Sequence, residues 1–214
     1  NTKYTMSIEE ITDALEVLSV NFMNLTHLVQ KFAERQAEED VQVTTKAVPH
    51  FKVVIVGDGD VGKTTFVKRH LTDDYKEDTK PTLGVEVHPV GFNTNYGPVG
   101  LNVWDCAGSK EFGGLKSGYY KAANAAIVMY DVSNLESFEH VETWIERVQT
   151  VEPDIPIIVV GNKIDATMFG ALRSTIWNKH HKHFYVSAKS MYNHSEPFKY
   201  IMHLLMKRKD LEVC

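Results

Sequence analysis

The run Phe51-Lys52-Val53-Val54-Ile55-Val56 leads directly into Gly57-Asp58-Gly59-Asp60-Val61-Gly62-Lys63-Thr64, and no other stretch constrains the chain as tightly. A β-branched run favours extended backbone, and the glycines let the chain curl sharply where that run ends. The octapeptide satisfies GxxxxGK[ST], so its amides and the N-terminus of the helix that follows converge on phosphate oxygens. Lys63 supplies a point charge, and the Thr64 hydroxyl is a hard oxygen ligand suited to magnesium. The first prediction is therefore a strand, a phosphate cradle and a helix in immediate succession.

The rest of the chain supplies a matching scaffold. Further strand-like runs cover 85–92, 99–104, 125–130 and 155–160, and helical patterns lie near 63–72, 134–150, 171–181 and 194–208. This alternation predicts an α/β fold with a mostly parallel six-stranded sheet and helices on both faces. One antiparallel hairpin is embedded in it, turning through Asn93-Thr94-Asn95-Tyr96-Gly97-Pro98. With 43% hydrophobic and 24% charged residues, the composition excludes disorder, collagen-like repeats and a disulfide scaffold. Two cysteines, Cys106 and Cys214, fit a reducing compartment. The net charge is −5, with four basic and eight acidic residues in 1–50 and nineteen against twenty in 51–214, so no basic nucleic-acid footprint exists. Residues 17–30 are uncharged but interrupted by polar side chains, short of the ~20 apolar residues that a membrane span needs. Four acidic residues ahead of that run disfavour a signal peptide.

Ligands of an open α/β sheet sit at the carboxyl ends of its strands, and three more motifs are expected there. Asp105-Cys106-Ala107-Gly108 offers a carboxylate able to touch magnesium through water and a glycine placed to sense a γ-phosphate. Asn162-Lys163-Ile164-Asp165 and Ser187-Ala188-Lys189 follow the fifth and sixth strands. An aspartate accepts two hydrogen bonds from the N1–H and 2-amino group of guanine, and a lysine stem covers the base, which selects guanine over adenine.

In this order the motifs resemble those of a small GTPase of the Ras superfamily, a P-loop NTPase G domain, over essentially all of 51–210. Within the superfamily the chain is most similar to the Ran family, through Phe66-Val67-Lys68-Arg69-His70-Leu71-Thr72, Thr82-Leu83-Gly84-Val85-Glu86-Val87-His88-Pro89, Asn102-Val103-Trp104-Asp105, and Phe112-Gly113-Gly114-Leu115 leading to Gly118-Tyr119-Tyr120. A lone Cys214 does not fit C-a-a-X, in keeping with that unlipidated branch and with no membrane anchor. The resemblance implies GTP or GDP as ligand with Mg2+. Lys63 and the amides of 59–65, including Thr65, would hold the phosphates, with Asp58, Asp60, Val61 and Gly108 beside them. Thr64 and Thr82 would ligate the metal, Thr82 only with the γ-phosphate present. Asn162, Lys163 and Asp165 would bind guanine with Ser187, Ala188 and Lys189. Residues 73–84 and 105–120 would be the two switches, recognised by transport receptors, an exchange factor and an activating protein. Location would be nucleus and cytoplasm, or alternatively a large cytoplasmic or cytoskeletal complex.

Several positions depart from the pattern. Ser109 stands where the family has the glutamine that orients the attacking water, and Thr79 replaces a tyrosine of the first switch. Serine is too short to substitute, so GTP hydrolysis is expected to be weak. Asp60 replaces a glycine; its carboxylate either lies close to phosphate and weakens affinity or points to solvent. The basic cluster usual after the guanine motif is thin, and the acidic tail of the family does not follow Leu211-Glu212-Val213-Cys214. His180-His181-Lys182-His183 is read as a solvated basic turn rather than a metal site.

Residues 1–50 stand outside the GTPase pattern, which occupies 51–214. Tyr4, Ile8, Ile11, Leu15, Leu18, Phe22, Leu25, Val29 and Phe32 alternate four and three apart, a sustained heptad pattern. Ser7 followed by Glu10 offers a capping box. A helix over 7–39 would be ~50 Å long. Its seam is flanked by Thr12, Ala14, Ser19, Asn21, Thr26 and Leu28 in place of the charges usual in a dimeric coiled coil. Two readings follow: packing on its own domain, or docking into a larger protein assembly. The second is preferred because a lone helix of this kind exposes too much apolar area. Function has two corresponding readings, a Ran-type nucleotide switch in nucleocytoplasmic transport, or a GTP-bound, nearly non-hydrolysing subunit held in an assembly through that helix.

Overall fold

The computed structural model describes residues 8–45, 47–72, 75, 80–108, 116–166, 181–208 and 210–213. The chain divides into two compact units, Asn1–Ala47 and Val48–Cys214. The first is one helix, α1 (Ile8–Thr45), 38 residues long. It runs past the expected end at Glu39, and Ser7 of the proposed capping box lies outside the described residues. Every large apolar side chain described on α1 is exposed, from 55% at Leu28 to 85% at Ile8. Thr12 and Thr26 donate their hydroxyls to the carbonyls of Ile8 and Phe22, each at 2.8 Å, one turn back along the helix.

The second unit is a six-stranded sheet: β1 (His50–Val56), β2 (Val85–Thr94), β3 (Gly97–Cys106), β4 (Ala125–Asp131), β5 (Ile157–Asn162) and β6 (Lys182–Tyr185), in spatial order β2-β3-β1-β4-β5-β6. All neighbours are parallel except the β2–β3 hairpin. The hairpin ladder extends to Thr94 opposite Gly97, so the six-residue turn expected from sequence shortens to Asn95-Tyr96. The Thr94 hydroxyl tightens it, donating to Gly97 O at 2.7 Å and accepting from Tyr96 N at 3.1 Å.

Alternate residues of β1 serve opposite faces, as a pleated strand requires. Val53 and Ile55 join a core with Phe66 and Val67 of α2 (Lys63–Thr72) and Phe198, Ile201 and Met202 of the last helix (Glu196–Met206, here α6). Val54 and Val56 join a second core with Tyr120 of α3 (Lys116–Tyr120) and Trp144, Ile145 and Val148 of α5 (Val141–Val151). The helix expected over 134–150 is two pieces, α4 (Leu135–Glu139) and α5, meeting at His140. The helix expected over 171–181 falls almost wholly outside the described residues. His183 is not part of a solvated turn. It lies on β6 between Tyr130 and Tyr185, with ring centroids at 5.8 and 4.4 Å, and its Nε2 is 3.2 Å from the Tyr130 hydroxyl. Among the described residues no cluster of His, Cys, Asp or Glu could hold a metal ion.

Two stability predictions follow from these cores. Phe198 is fully buried and stacks on Phe66 at 5.2 Å, so Phe198→Ala is expected to lower the unfolding free energy by roughly 3–5 kcal/mol in denaturant titrations. Burial lowers the His183 pKa to about 4. The folded state then binds fewer protons than the unfolded state, whose histidine titrates near 6.5. Stability from this group is complete above pH 6.5 and is lost as pH falls towards 4, by about 3 kcal/mol at most. The pH dependence of chemical unfolding is expected to flatten over that window in His183→Gln.

Candidate nucleotide site

The carboxyl edge of the sheet is organised around Lys63. It begins α2, is only 6% exposed, and its ammonium donates to the carbonyls of Gly57 at 2.9 Å and Asp58 at 2.5 Å. A buried cation must be held by oxygens, and the loop curls so that two of its own carbonyls do this. Two glycines make the close approaches possible. Gly62 has φ +91°, and a Cβ there would meet the Asn162 side-chain nitrogen at 2.5 Å. A Cβ on Gly108 would meet the backbone of Asp58 and Gly59 at 2.3 Å, so any larger residue would push the β3 end off the loop.

Beside Lys63 lies a cluster of oxygens from three elements. Thr64 Oγ1 donates to Asp105 Oδ2 at 2.5 Å and is 2.8 Å from Thr82 Oγ1, which itself lies 3.5 Å from Asp105 Oδ2. Asp105 is fully buried, opposite Ile55 in the β1–β3 register, and its Oδ1 has no hydrogen-bond partner. Burial raises its pKa, opposed by the Thr64 hydrogen bond and the charge of Lys63. Two hydroxyls converging on a carboxylate with an orphaned buried oxygen form a hard, oxygen-only donor set, which fits magnesium.

The opposite end of the cleft is built on β5 and the segment after β6. Asn162 is buried; its amide nitrogen donates to Val61 O at 3.0 Å and its amide oxygen accepts from Ala188 N at 3.1 Å. Lys163, at φ 66°, reaches back to Asp60 O at 2.7 Å and Asp131 Oδ2 at 2.8 Å. Ser187 donates to Asp165 Oδ1 at 2.6 Å and accepts from Ser190 N at 2.9 Å, which fixes the carboxylate's rotamer.

These groups face one cleft of about 780 Å³. Gly59, Asp60, Gly62, Lys63, Thr64 and Thr65 line it from the loop, Thr82 and Gly108 from the middle, and Asn162, Lys163, Asp165, Ala188 and Lys189 from the far end. Ser109 lies outside the described residues, as does Thr79. Val61, Asp105 and Ser187 stand behind the lining and act on it through the bonds just given. Tyr75, Lys80, Pro81 and Ala166 also line the cleft and were not singled out from sequence. Lys80 and Tyr75 fall within the expected first switch, but no motif spacing marks them.

The Asp58 carboxylate accepts from Trp144 Nε1 at 2.7 Å and lies 2.5 Å from His140 Nδ1, so only the backbone of this residue is left to face the phosphate end. The acid thereby ties the loop to the α4–α5 junction. Asp60 is exposed and lines the cleft, with a left-handed φ of 61°. Its side chain is thus solvated and near the phosphate end at once.

A phosphate cradle after the first strand, a hard-oxygen cluster at its side and an aspartate-bearing pocket at the far end define a P-loop nucleotide-binding domain. Residues 52–207 match the model of the Ras family, and the chain belongs to that family. It is a small GTPase by class, a nucleotide-binding switch of a family whose members bind GTP or GDP with magnesium.

Replacing the charged, positive-φ residue in the loop should strengthen the site. Asp60→Gly is expected to slow nucleotide dissociation several-fold by removing like charge near phosphate and by relieving an unfavourable backbone conformation. Displacement of a fluorescent guanine nucleotide measures this. An unchanged off-rate would show the carboxylate to be electrically silent.

Proposed function

We propose that the chain is a Ran-type small GTPase that holds GTP or GDP with magnesium and hydrolyses GTP slowly. The observation that carries the nucleotide part is the Thr64–Thr82–Asp105 cluster beside the buried Lys63. Thr64 and Thr82 would hold magnesium, with Asp105 fixing the Thr64 hydroxyl. Bound there, magnesium neutralises phosphate charge. Lys63 and the loop amides would hold the phosphates. Asp165, oriented by Ser187, would accept from the guanine edge, with the Lys163 stem along the base. Because Thr82 belongs to the first switch, its hydroxyl links that segment to the metal and hence to the γ-phosphate, which is how loss of the phosphate would release the segment.

The Ran assignment rests on the residue runs of 66–72, 82–89, 102–105, 112–115 and 118–120. It supports a protein-binding role of the segments 73–84 and 105–120 towards transport receptors or an exchange factor, in nucleus and cytoplasm. Slow hydrolysis rests on Ser109, whose side chain is too short to orient the attacking water. Single-turnover GTP cleavage is expected near 10⁻⁴ s⁻¹, with little response to an activating protein. Rapid, stimulated cleavage would overturn this, and Ser109→Gln should raise the rate if the missing side chain is the cause.

The exposed apolar face of α1 favours a second reading, a GTP-bound subunit held in an assembly through that helix. In this reading the purified protein carries stoichiometric GTP rather than GDP. Nucleotide extraction and chromatography distinguish the two.

A further inference from the structure

We propose that the apolar face of α1 pairs with the α1 of a second copy of the chain, in antiparallel orientation, in the register that sets residue i level with residue 47 − i. The inference deepens the reading of α1 as an assembly surface and is independent of what the cleft binds.

The seam side chains Leu15, Leu18, Phe22, Leu25, Val29 and Phe32 are 60–73% exposed and follow the 3–4 alternation of a knobs-into-holes stripe. Core layers are stable when their volumes are even, since overpacked and underpacked layers both cost energy. A parallel in-register pair would stack Phe22 on Phe22 and Phe32 on Phe32, with Val29 on Val29 between them. The antiparallel register instead matches Leu15 with Phe32, Leu18 with Val29 and Phe22 with Leu25, and each layer recurs by the dyad, giving six layers without a Phe–Phe or Val–Val pair.

The uncharged stretch 17–30 is centred on the same dyad, between Met23 and Asn24. At its ends the antiparallel register sets Glu16 level with Lys31, where a parallel pair sets Glu16 against its own copy; further out Asp13 comes level with Glu34 and Glu9 with Glu38, like charge in either arrangement. Opposed helix dipoles add to the antiparallel preference.

The flanks tolerate contact. Thr12 and Thr26 already spend their hydroxyl protons on the carbonyls of Ile8 and Phe22, so burying them strands no donor. No charge flanks the seam between 17 and 30 to set a different partner. Six side chains at on the order of 100 Å² each, with Leu28 and the small flanking residues, approach the ~800 Å² per partner of a stable interface.

Light scattering of the full chain after size exclusion at micromolar concentration is expected to give twice 24.3 kDa. A monomer, or any larger oligomer, would overturn the proposal. Orientation is read by disulfide trapping in a Cys214→Ser background. Leu15→Cys alone should stay uncrosslinked, while Leu15→Cys mixed with Phe32→Cys should crosslink between chains. Crosslinking of Leu15→Cys with itself would mean a parallel pair and refute the register. Phe22→Glu with Leu25→Glu, at the central layers, should raise the dimer dissociation constant about 100-fold with bound nucleotide unchanged. A dimer that survives this double substitution would place the interface elsewhere.

Discussion

The buried ammonium of Lys63 is the charge to which the carboxyl edge of the sheet conforms. Its two carbonyl acceptors belong to Gly57 and Asp58, the first residues after β1, so the chain must turn back over its own lysine before α2 begins. That turn brings Thr64 within reach of Asp105, which the β1–β3 register has already placed at the neighbouring strand end. It also leaves Gly108 pressed on the loop backbone, so the end of β3 and the phosphate loop share one narrow space. Strand register, loop curvature and the oxygen cluster are thus parts of one electrostatic solution.

The loop is held from outside as well. An aspartate pointing into a phosphate site would repel its ligand. Here the Asp58 carboxylate is drawn off by the Trp144 indole and the His140 ring. The break between α4 and α5 falls at His140 itself. The sequence predicts one helical stretch near 134–150, and the structure instead divides it where a side chain is needed by a loop more than eighty residues earlier.

Much of this was legible in the residues. Strand–cradle–helix order follows from β-branching and glycine placement around 51–64, and the motif positions after later strands follow from the topology of open sheets. The matched family confirms the class these motifs indicate. What stayed hidden depends on distant partners. The fate of the Asp58 carboxylate needs Trp144, and the packing of His183 needs Tyr130 from β4, on the far side of β5, so local composition makes it look like part of a polar turn. The hairpin turn was read too wide because Gly97 and Pro98 look like turn residues, while the Thr94 hydroxyl closes the ladder inside them. Tyr75 and Lys80 reach the cleft from a stretch with no periodic signal. On α1 the heptad spacing was plain, but its end was not, since residues beyond Glu39 carry few apolar markers.

Asn162 gives the cleft a property that a residue-by-residue description conceals. One amide group bonds Val61 in the phosphate loop through its nitrogen and Ala188 in the base-side loop through its oxygen. The two halves of the site therefore share a single rigid strut, and Lys163 adds a second tie to the loop at Asp60. Changes made at the base end will be felt at the phosphates, so their effects on affinity will not sum as independent contributions. Selectivity for the base and grip on the phosphates form one coupled variable in this domain.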